Sequence, residues 1–158
     1  MIPFLELLIK RRDLEWTPPR TLLSFDPGET TGWAMFKYGK LTQGDQIILP
    51  IEENSKINGK EFWSLFQVYQ PDHVVIEGYR VYGHKAAAHS WSALYTPKLI
   101  GYIEGICQFY DVPYSIQMAA TKQFCNDDKL RNWGYYDKFK KHCRDAIRHG
   151  CYWLLFSK

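Results

Sequence analysis

Apolar positions predict three successive strands near the start of the chain. Residues 21–25, 32–37 and 41–49 carry β-branched, aromatic and aliphatic side chains in short runs typical of strands. The turns between them are Asp26-Pro27-Gly28 and Tyr38-Gly39-Lys40, and both contain the residue types that tight turns favour. We therefore expect these three strands to form a meander of hairpins.

The rest of the chain alternates between helical and strand-like patterns. The predicted elements are a helix over 60–69, a strand over 73–77, a helix over 97–110, a strand over 114–118 and a helix over 137–155. Thr96 and Pro97 are suited to be the N-cap and first residue of the second of these helices, and Asp137 is the expected cap of the third. Residues 78–95 and 119–136 are predicted to be loop-like or irregular.

Residues 1–12 are apolar with a basic end and predict a further short helix, ended by Thr17-Pro18-Pro19. The order of elements from residue 21 onward is β-β-β-α-β-α-β-α, which predicts an α/β fold. The strand over 73–77 is continuously apolar up to its glutamate, so we expect helices on both faces of the sheet. We find no repeat or linker and predict one domain over 21–158, preceded by an N-terminal extension over 1–20.

Composition excludes several classes of protein. With 46% hydrophobic and 23% charged residues over 158 positions, the chain is typical of a globular protein and not of a disordered one. No apolar run reaches the roughly 18 residues of a membrane span, so no membrane association is expected. The first ten residues lack the features of a secretory signal. The four cysteines form no CxxC pair, which disfavours a zinc site and predicts reduced, mostly buried thiols in an intracellular protein.

Positive charge is concentrated in two parts of the chain. Between residues 80 and 100, Arg80, Lys85 and Lys98 are opposed by no acidic residue, and from residue 120 onward nine basic residues face four acidic ones. Tyrosine and tryptophan are interspersed among them, as on surfaces that neutralise phosphates and stack on bases. The charge alone fits a nucleic-acid surface and a solvated basic face equally well.

Three acidic residues stand where a sheet could bring them together. Asp26 ends the first strand, Glu77 ends the fourth, and Asp145 lies on the last helix three residues after His142. Carboxylates held this close repel one another unless a cation lies between them, and a pair of divalent ions would relieve that repulsion. Taken singly, each residue also fits a structural role as a turn, a strand-end or an exposed helix residue; their joint placement favours a metal site.

The motifs around these residues resemble a known family. Residues 25–34, with the sequence FDPGETTGWA, resemble the opening hairpin of RuvC-like Holliday junction resolvases of the ribonuclease H-like superfamily. The segment VVIE ending at Glu77 is similar to the family's fourth strand, and residues 142–149 resemble its closing helix. The resemblance covers residues 21–156 and implies a ribonuclease H-like mixed five-stranded sheet flanked by helices.

The resemblance also implies a ligand set. Asp26 would bridge two Mg²⁺ ions, with Glu77 and Asp145 completing the carboxylate ligands and Mn²⁺ able to substitute for Mg²⁺. His142 stands where many members have an aspartate, and it would be a metal ligand, a proton shuttle or a contact to the scissile phosphate. His149, one turn further on, is expected to support the site or to be structural.

The resemblance implies several DNA contacts. Tyr79 and Tyr82 lie in the loop that reaches the junction centre, so each either wedges base pairs or packs on the neighbouring helix. Arg80 and Lys85 in the same loop are expected to contact DNA. Lys122 follows the fifth strand, where the family often has a DNA-contacting lysine; a plain surface lysine is the alternative.

The resemblance implies a homodimer as well. The predicted helix over 97–110 carries Gly101 and Gly105 on one face, although each glycine costs about 1 kcal/mol of helix propensity. Close packing would explain them, either on the sheet or on the same helix of a second copy, through which family members dimerise. The extension over 1–20 would then add to that interface or grip DNA.

The sequence thus predicts a metal-dependent, structure-selective endonuclease that resolves four-way or branched DNA. The alternatives are a broader flap or branch nuclease of the same fold, and a DNA-binding module without activity. A cytoplasmic location in a bacterium or in a phage-infected cell is expected.

Overall fold

A computed structural model of the chain describes residues 2–49, 56–80 and 91–158, with the backbone alone for 91–94. Its strands are β1 (Thr21–Asp26), β2 (Thr30–Lys37), β3 (Lys40–Ile48), β4 (His73–Glu77) and β5 (Tyr114–Gln117). Its α-helices are α1 (Phe4–Arg11), α2 (Lys60–Tyr69), α3 (Trp91–Phe109), α4 (Asp127–Asn132) and α5 (Lys141–Phe156). A 3₁₀ helix, Ala119–Gln123, follows β5.

The five strands form one mixed sheet in the order β3-β2-β1-β4-β5. The meander pairs β1, β2 and β3 antiparallel, as the short turns predict, whereas β4 runs parallel to β1 and β5 parallel to β4. Phe25 of β1 pairs with Ile76 of β4, so the residue that follows each of them lies at the same edge of the sheet. The predicted α/β architecture is confirmed, with α4 and the 3₁₀ helix added to the expected order.

Helices cover both faces of the sheet because β1 and β4 are apolar on both sides. Leu22 and Val75 belong to a core shared with α1, α4 and α5, and Phe25 and Ile76 to a second core shared with α2 and α3. Side chains alternate between faces along a strand. The last residues of β1 and β4 are therefore directed to the face that α5 covers.

Glycine and serine let α5 lie close to the sheet. A Cβ atom added to Gly32 of β2 would overlap the backbone carbonyl of His142, so only glycine permits this approach. A Cβ at Gly150 would overlap the ring of Phe36. Between these points Ser24 Oγ, fully buried, donates a hydrogen bond to the Ala146 carbonyl at 2.7 Å. The position of α5 over β1 and β2 is thus fixed at several places along the helix.

Two predicted helix starts are wrong. α3 begins at Trp91, so Thr96 is not its N-cap and Pro97 lies inside the helix. A proline there removes one backbone hydrogen bond, and burial of Tyr95 and Leu99 in the second core favours the extra helical turn. α5 begins at Lys141 and not after Asp137. Its first turn is satisfied by a distant residue, because the His142 amide donates to Gln46 Oε1 of β3 at 3.0 Å.

Other local expectations have mixed outcomes. Residues 119–136 are only partly irregular: they include the 3₁₀ helix and α4, which Asn126 caps by accepting from the Lys129 amide at 3.1 Å. Gly101 and Gly105 are exposed on α3, and an added Cβ would meet nothing within 4 Å among the described residues. Packing on the sheet therefore does not explain these glycines.

All four cysteines are buried free thiols, as predicted. Burial raises the pKa of Cys107, Cys125 and Cys143 to about 12. No helix within residues 2–49, 56–80 and 91–158 is long and apolar enough to cross a membrane.

The predicted first helix is confirmed as α1, which packs beside the carboxyl-terminal half of α5. Phe4 is buried against the Trp133 ring at 4.9 Å between centroids, and Leu8 is buried in the same core. Arg12 follows α1 and donates to the carbonyls of Trp153, Leu154 and Ser157. The Leu154 and Ser157 carbonyls lie where α5 ends, and the Trp153 carbonyl also accepts from the Ser157 amide at 2.8 Å. The guanidinium thus hydrogen-bonds carbonyls at the end of the helix and opposes the helix dipole.

We expect Arg12→Met to destabilise the folded protein by about 1.5–3 kcal/mol, because hydrogen bonds from a charged donor to the end of α5 are lost. Urea unfolding measures this free energy. Arg20→Met, at an exposed position before β1, is the control and should change stability by less than about 0.5 kcal/mol. Equal effects of the two substitutions would show that the hydrogen bonds from Arg12 do not stabilise the end of α5.

Candidate functional site

Two acidic side chains lie next to each other where β1 and β4 end. Asp26 is buried, with 9% of its surface exposed, and Glu77 is partly buried beside it. Burial and the neighbouring charge of Glu77 raise the pKa of Asp26 well above its usual range. The pair is the direct result of parallel strands whose carboxyl ends meet at one edge of the sheet.

α5 brings two further polar side chains to this edge. His142 and Asp145 are three residues apart, so they lie on one face of the helix. His142 Nδ1 is 3.1 Å from Asp26 Oδ2. Asp26, His142 and Asp145 each offer one ligand atom, and these atoms all lie within 4.8 Å of one another. Gly32, which admits the backbone of His142, makes this convergence possible.

The donor set suits a divalent cation. Mg²⁺ binds oxygen at about 2.0–2.1 Å, so two of its ligand atoms are about 3–4 Å apart. The three atoms here lie within 4.8 Å of one another, which is close to that spacing. Two carboxylates and an imidazole also fit Mn²⁺. Asp26, His142 and Asp145 are therefore the residues that would hold the ion.

Glu77 is not part of this group of three. Its Oε2 atom accepts from His149 Nε2 and from Lys122 Nζ, each at 2.8 Å. Burial alone would raise the pKa of Glu77, but the hydrogen bonds and charges of His149 and Lys122 outweigh it and lower the pKa well below its usual range. Glu77 is therefore an ionised carboxylate that two donors already hold.

His149 is fully buried and holds Glu77 by the hydrogen bond described above. Its Nδ1 lies 2.8 Å from Gln117 Oε1 and 3.3 Å from Thr121 Oγ1. The ring is thereby held between β5, the 3₁₀ helix and the end of β4. This contact fits the supporting role that the sequence suggested.

Lys122 lies inside the carboxylate cluster. Its Nζ is 2.8 Å from Glu77 Oε2 and 3.6 Å from Asp145 Oδ2, and the side chain is 24% exposed. Burial would lower the pKa of Lys122, but the hydrogen bond and charge of Glu77, with the charges of Asp26 and Asp145, raise it above its usual value. The group is an ammonium ion among three carboxyl groups.

Arg148 is a residue of the site that the sequence reasoning missed. Its guanidinium contacts Asp145 Oδ1 and Asp127 Oδ1, and its Nε donates to the Cys125 carbonyl at 3.0 Å. Its spacing of three residues from Asp145 on a helix was the available signal. That spacing does not predict the contact with Asp127 of α4, which is 21 residues away in sequence.

The predicted DNA-contacting loop is described only in part. Tyr79 is partly buried and packs against the core shared with α2 and α3, and its contact with DNA stays a prediction. Arg80 is exposed. Tyr82 and Lys85 lie outside the described residues.

An open cleft runs along the site. Its described lining residues are Asp26, Pro27, Gly28, Glu29, Thr30, Lys122, Lys141, His142 and Asp145. Carboxylates and an imidazole that can hold a cation thus stand beside two lysines that can bind a phosphate. His142 is 40% exposed, which leaves its ring accessible from the cleft.

No protein-family model matches the chain, and no curated protein sequence matches it. Several solved structures do. T. thermophilus RuvC in complex with Holliday junction substrate has a TM-score of 0.68 at 13% identity, over 87% of this chain and 94% of that one. The yeast mitochondrial Holliday junction resolvase has a TM-score of 0.61 at 11% identity, over 95% of this chain and 84% of the other.

The fowlpox virus resolvase with its Holliday junction DNA is also similar, with a TM-score of 0.57 at 14% identity over 85% of this chain and 96% of that one. The chain therefore has the ribonuclease H-like fold of RuvC and other Holliday junction resolvases, as its motifs predict. At these identities the likeness establishes the fold.

The contact between His149 and Glu77 gives a testable energetic coupling. His149→Leu removes one of two donors to a buried carboxylate, so we expect destabilisation by about 1–3 kcal/mol. In combination with Glu77→Gln, the loss should be clearly smaller than the sum of the two single effects. Urea unfolding of the four proteins of this double-mutant cycle measures the coupling; strictly additive losses would show that the two side chains do not support each other.

Proposed function

We propose that this chain is a divalent-metal-dependent endonuclease that hydrolyses phosphodiester bonds in four-way or related branched DNA. The observation that carries the proposal is the convergence of Asp26, His142 and Asp145 at the end of β1, with ligand atoms within 4.8 Å. Glu77 lies beside them at the end of β4. The similar solved structures, two of which contain Holliday junctions, support branched DNA as the substrate.

Asp26, His142 and Asp145 would hold the first ion, and Glu77 is the nearby carboxylate for a second. Divalent ions at such a site activate a water molecule and stabilise the leaving oxygen of the phosphodiester. We propose Mg²⁺ as the natural ion, with Mn²⁺ as a substitute, because the ligand set combines carboxylate oxygens with one imidazole nitrogen.

The chain's own residues would orient the phosphate and move the proton. Lys122 and Lys141 line the cleft and would bind the scissile phosphate by charge. His142 contacts Asp26 through Nδ1, so its Nε2 is the atom available to accept or donate a proton when the ring is not a ligand. We propose that Tyr79, Arg80, Tyr82 and Lys85 contact the DNA near the branch point.

We also propose that the active form is a homodimer, since cleavage of a two-fold symmetric junction needs two sites. The observation behind it is the exposed glycine pair on α3. A Cβ added to Gly101 or Gly105 would meet nothing within 4 Å among the described residues, so a close partner outside this chain would explain why glycine stands at both positions. Phe109 and Tyr110 at the end of α3 are exposed as well, and they would extend the same surface.

We expect Asp26→Asn to bind a labelled four-way junction normally but to cut it at least about 100-fold more slowly. The variant loses charge at the metal site, and metal ions contribute several kcal/mol to such reactions. Gel assays with Mg²⁺ and with EDTA measure nicking and binding separately. Asp128→Asn, exposed on α4, is the matched control and should cut like the unchanged protein.

Cleavage by Asp26→Asn at the original rate would contradict the metal mechanism. Flaps and plain duplexes in parallel lanes separate a junction resolvase from a broader branch nuclease. If the unchanged protein binds junctions but does not nick them in Mg²⁺ or in Mn²⁺, the result would favour a DNA-binding module without activity.

The double substitution Gly101→Gln and Gly105→Gln tests the dimer. Both side chains fit the separate chain, where they should raise helix stability by about 0.5–1 kcal/mol each. At an interface they would prevent close approach, so we expect dimer affinity to fall at least tenfold. Sedimentation over a range of concentrations measures it, with Lys37→Gln on β2 as the control. An unchanged dimer would show that α3 is not the interface.

A further inference from the structure

Lys122 occupies a position between carboxylates that a cation would otherwise fill. Its Nζ is 2.8 Å from Glu77 Oε2 and 3.6 Å from Asp145 Oδ2, and it also faces the charge of Asp26. The ammonium is thus placed between the fourth strand's glutamate and the helix aspartate. A second ion bound by Glu77 Oε2 and Asp145 Oδ2 would compete with Nζ for the space beside these two atoms.

The other contacts of Asp145 and Glu77 also disfavour a second ion at this place. Asp145 is contacted by Arg148 through Oδ1 and by Lys122 through Oδ2, so both of its oxygens already face a cation. Glu77 Oε2 accepts from both His149 and Lys122. Lys122 and Arg148 therefore oppose part of the negative charge of Glu77 and Asp145, although Arg148 also contacts Asp127. Less negative charge then remains to hold a second divalent ion.

The Lys122 side chain can also move away from Glu77 and Asp145. It lies on the short 3₁₀ helix after β5, and its four-carbon stem rotates easily. It borders two cavities: the cleft with Asp26 and His142, and a neighbouring cavity lined by Gln123, Asn126, Asp127, Asp128 and Arg148. A DNA phosphate in the cleft would compete with Glu77 and Asp145 for the ammonium.

We propose that Lys122 holds the place of the second divalent ion while no DNA is bound. The free protein then takes one ion, at Asp26, His142 and Asp145. The second ion enters beside Glu77 only when a DNA phosphate draws the ammonium away. This inference rests on the proposed nuclease function and specifies how its ion site is filled. Because coupling is reciprocal, DNA and the second ion strengthen each other's binding.

Stoichiometry of Mn²⁺ binding to the DNA-free protein tests this directly. Isothermal titration calorimetry should give one ion per chain for the unchanged protein and two for Lys122→Met, which keeps the stem and removes the charge. Lys122→Arg keeps the charge and should bind one ion. Lys138→Met, at an exposed position, is the matched control and should also bind one. Electron paramagnetic resonance of bound Mn²⁺ gives an independent count and reports spin coupling when two ions are close.

Two results would overturn the proposal: two ions of similar affinity on the unchanged protein, or a single ion on Lys122→Met that circular dichroism shows to be folded. If Lys122→Met does not fold, the unchanged protein and Lys122→Arg still decide, since two ions on either one overturns the proposal.

Junction nicking is measured separately, so the two proposals can fail independently. The expected ion counts without any nicking in Mg²⁺ or Mn²⁺ would remove the nuclease function and leave the role of Lys122 standing. Nicking together with two ions on the DNA-free protein would support the nuclease function and remove the proposed role of Lys122. An unchanged protein that binds no Mn²⁺ at all would remove both.

Discussion

Repulsion among three carboxylates is the constraint around which this site is built. Asp26, Glu77 and Asp145 come from β1, β4 and α5 and meet at one edge of the sheet. Negative charges in a partly buried place must be balanced by protons, cationic side chains or metal ions. The structure uses Lys122 and Arg148 for this purpose, and His149 holds Glu77 by a hydrogen bond. The same charge balance limits the binding of divalent ions.

The precision of the site depends on packing away from the carboxylates. α5 carries His142 and Asp145, and it reaches Asp26 only because Gly32 leaves space for its first turn. Ser24 holds the middle of the helix through the Ala146 carbonyl, and Arg12 holds its far end. A functional group on a rigid, well-anchored helix keeps the geometry that cation binding requires.

Fold and site carry different weights in the functional argument. The ribonuclease H-like fold is shared with RuvC and other resolvases at 11–14% identity, and a fold by itself supports many functions. The nuclease proposal therefore rests on side chains of this chain. Asp26, His142 and Asp145 form a compact ligand set, and the cleft beside it offers lysines for a phosphate.

The sequence alone determined the features that depend on neighbouring residues. Strand and helix periodicity located all five strands and α2, the turn chemistry identified the meander, and the spacing of His142 and Asp145 placed both on one helix face. Asp26 and Glu77 could be paired in advance, because both end apolar strands that a parallel arrangement brings side by side. These features depend on residues that are close together in sequence, so the sequence alone predicts them.

Tertiary structure decided what depends on residues far apart in sequence. The start of α5 is set by Gln46, and burial of Tyr95 and Leu99 favours the early start of α3. Three contacts join residues 23 to 145 positions apart: Lys122 with Glu77 and Asp145, His149 with Glu77, and Arg12 with the end of α5. No periodicity records such contacts, because the partners meet only when the sheet and its helices have packed.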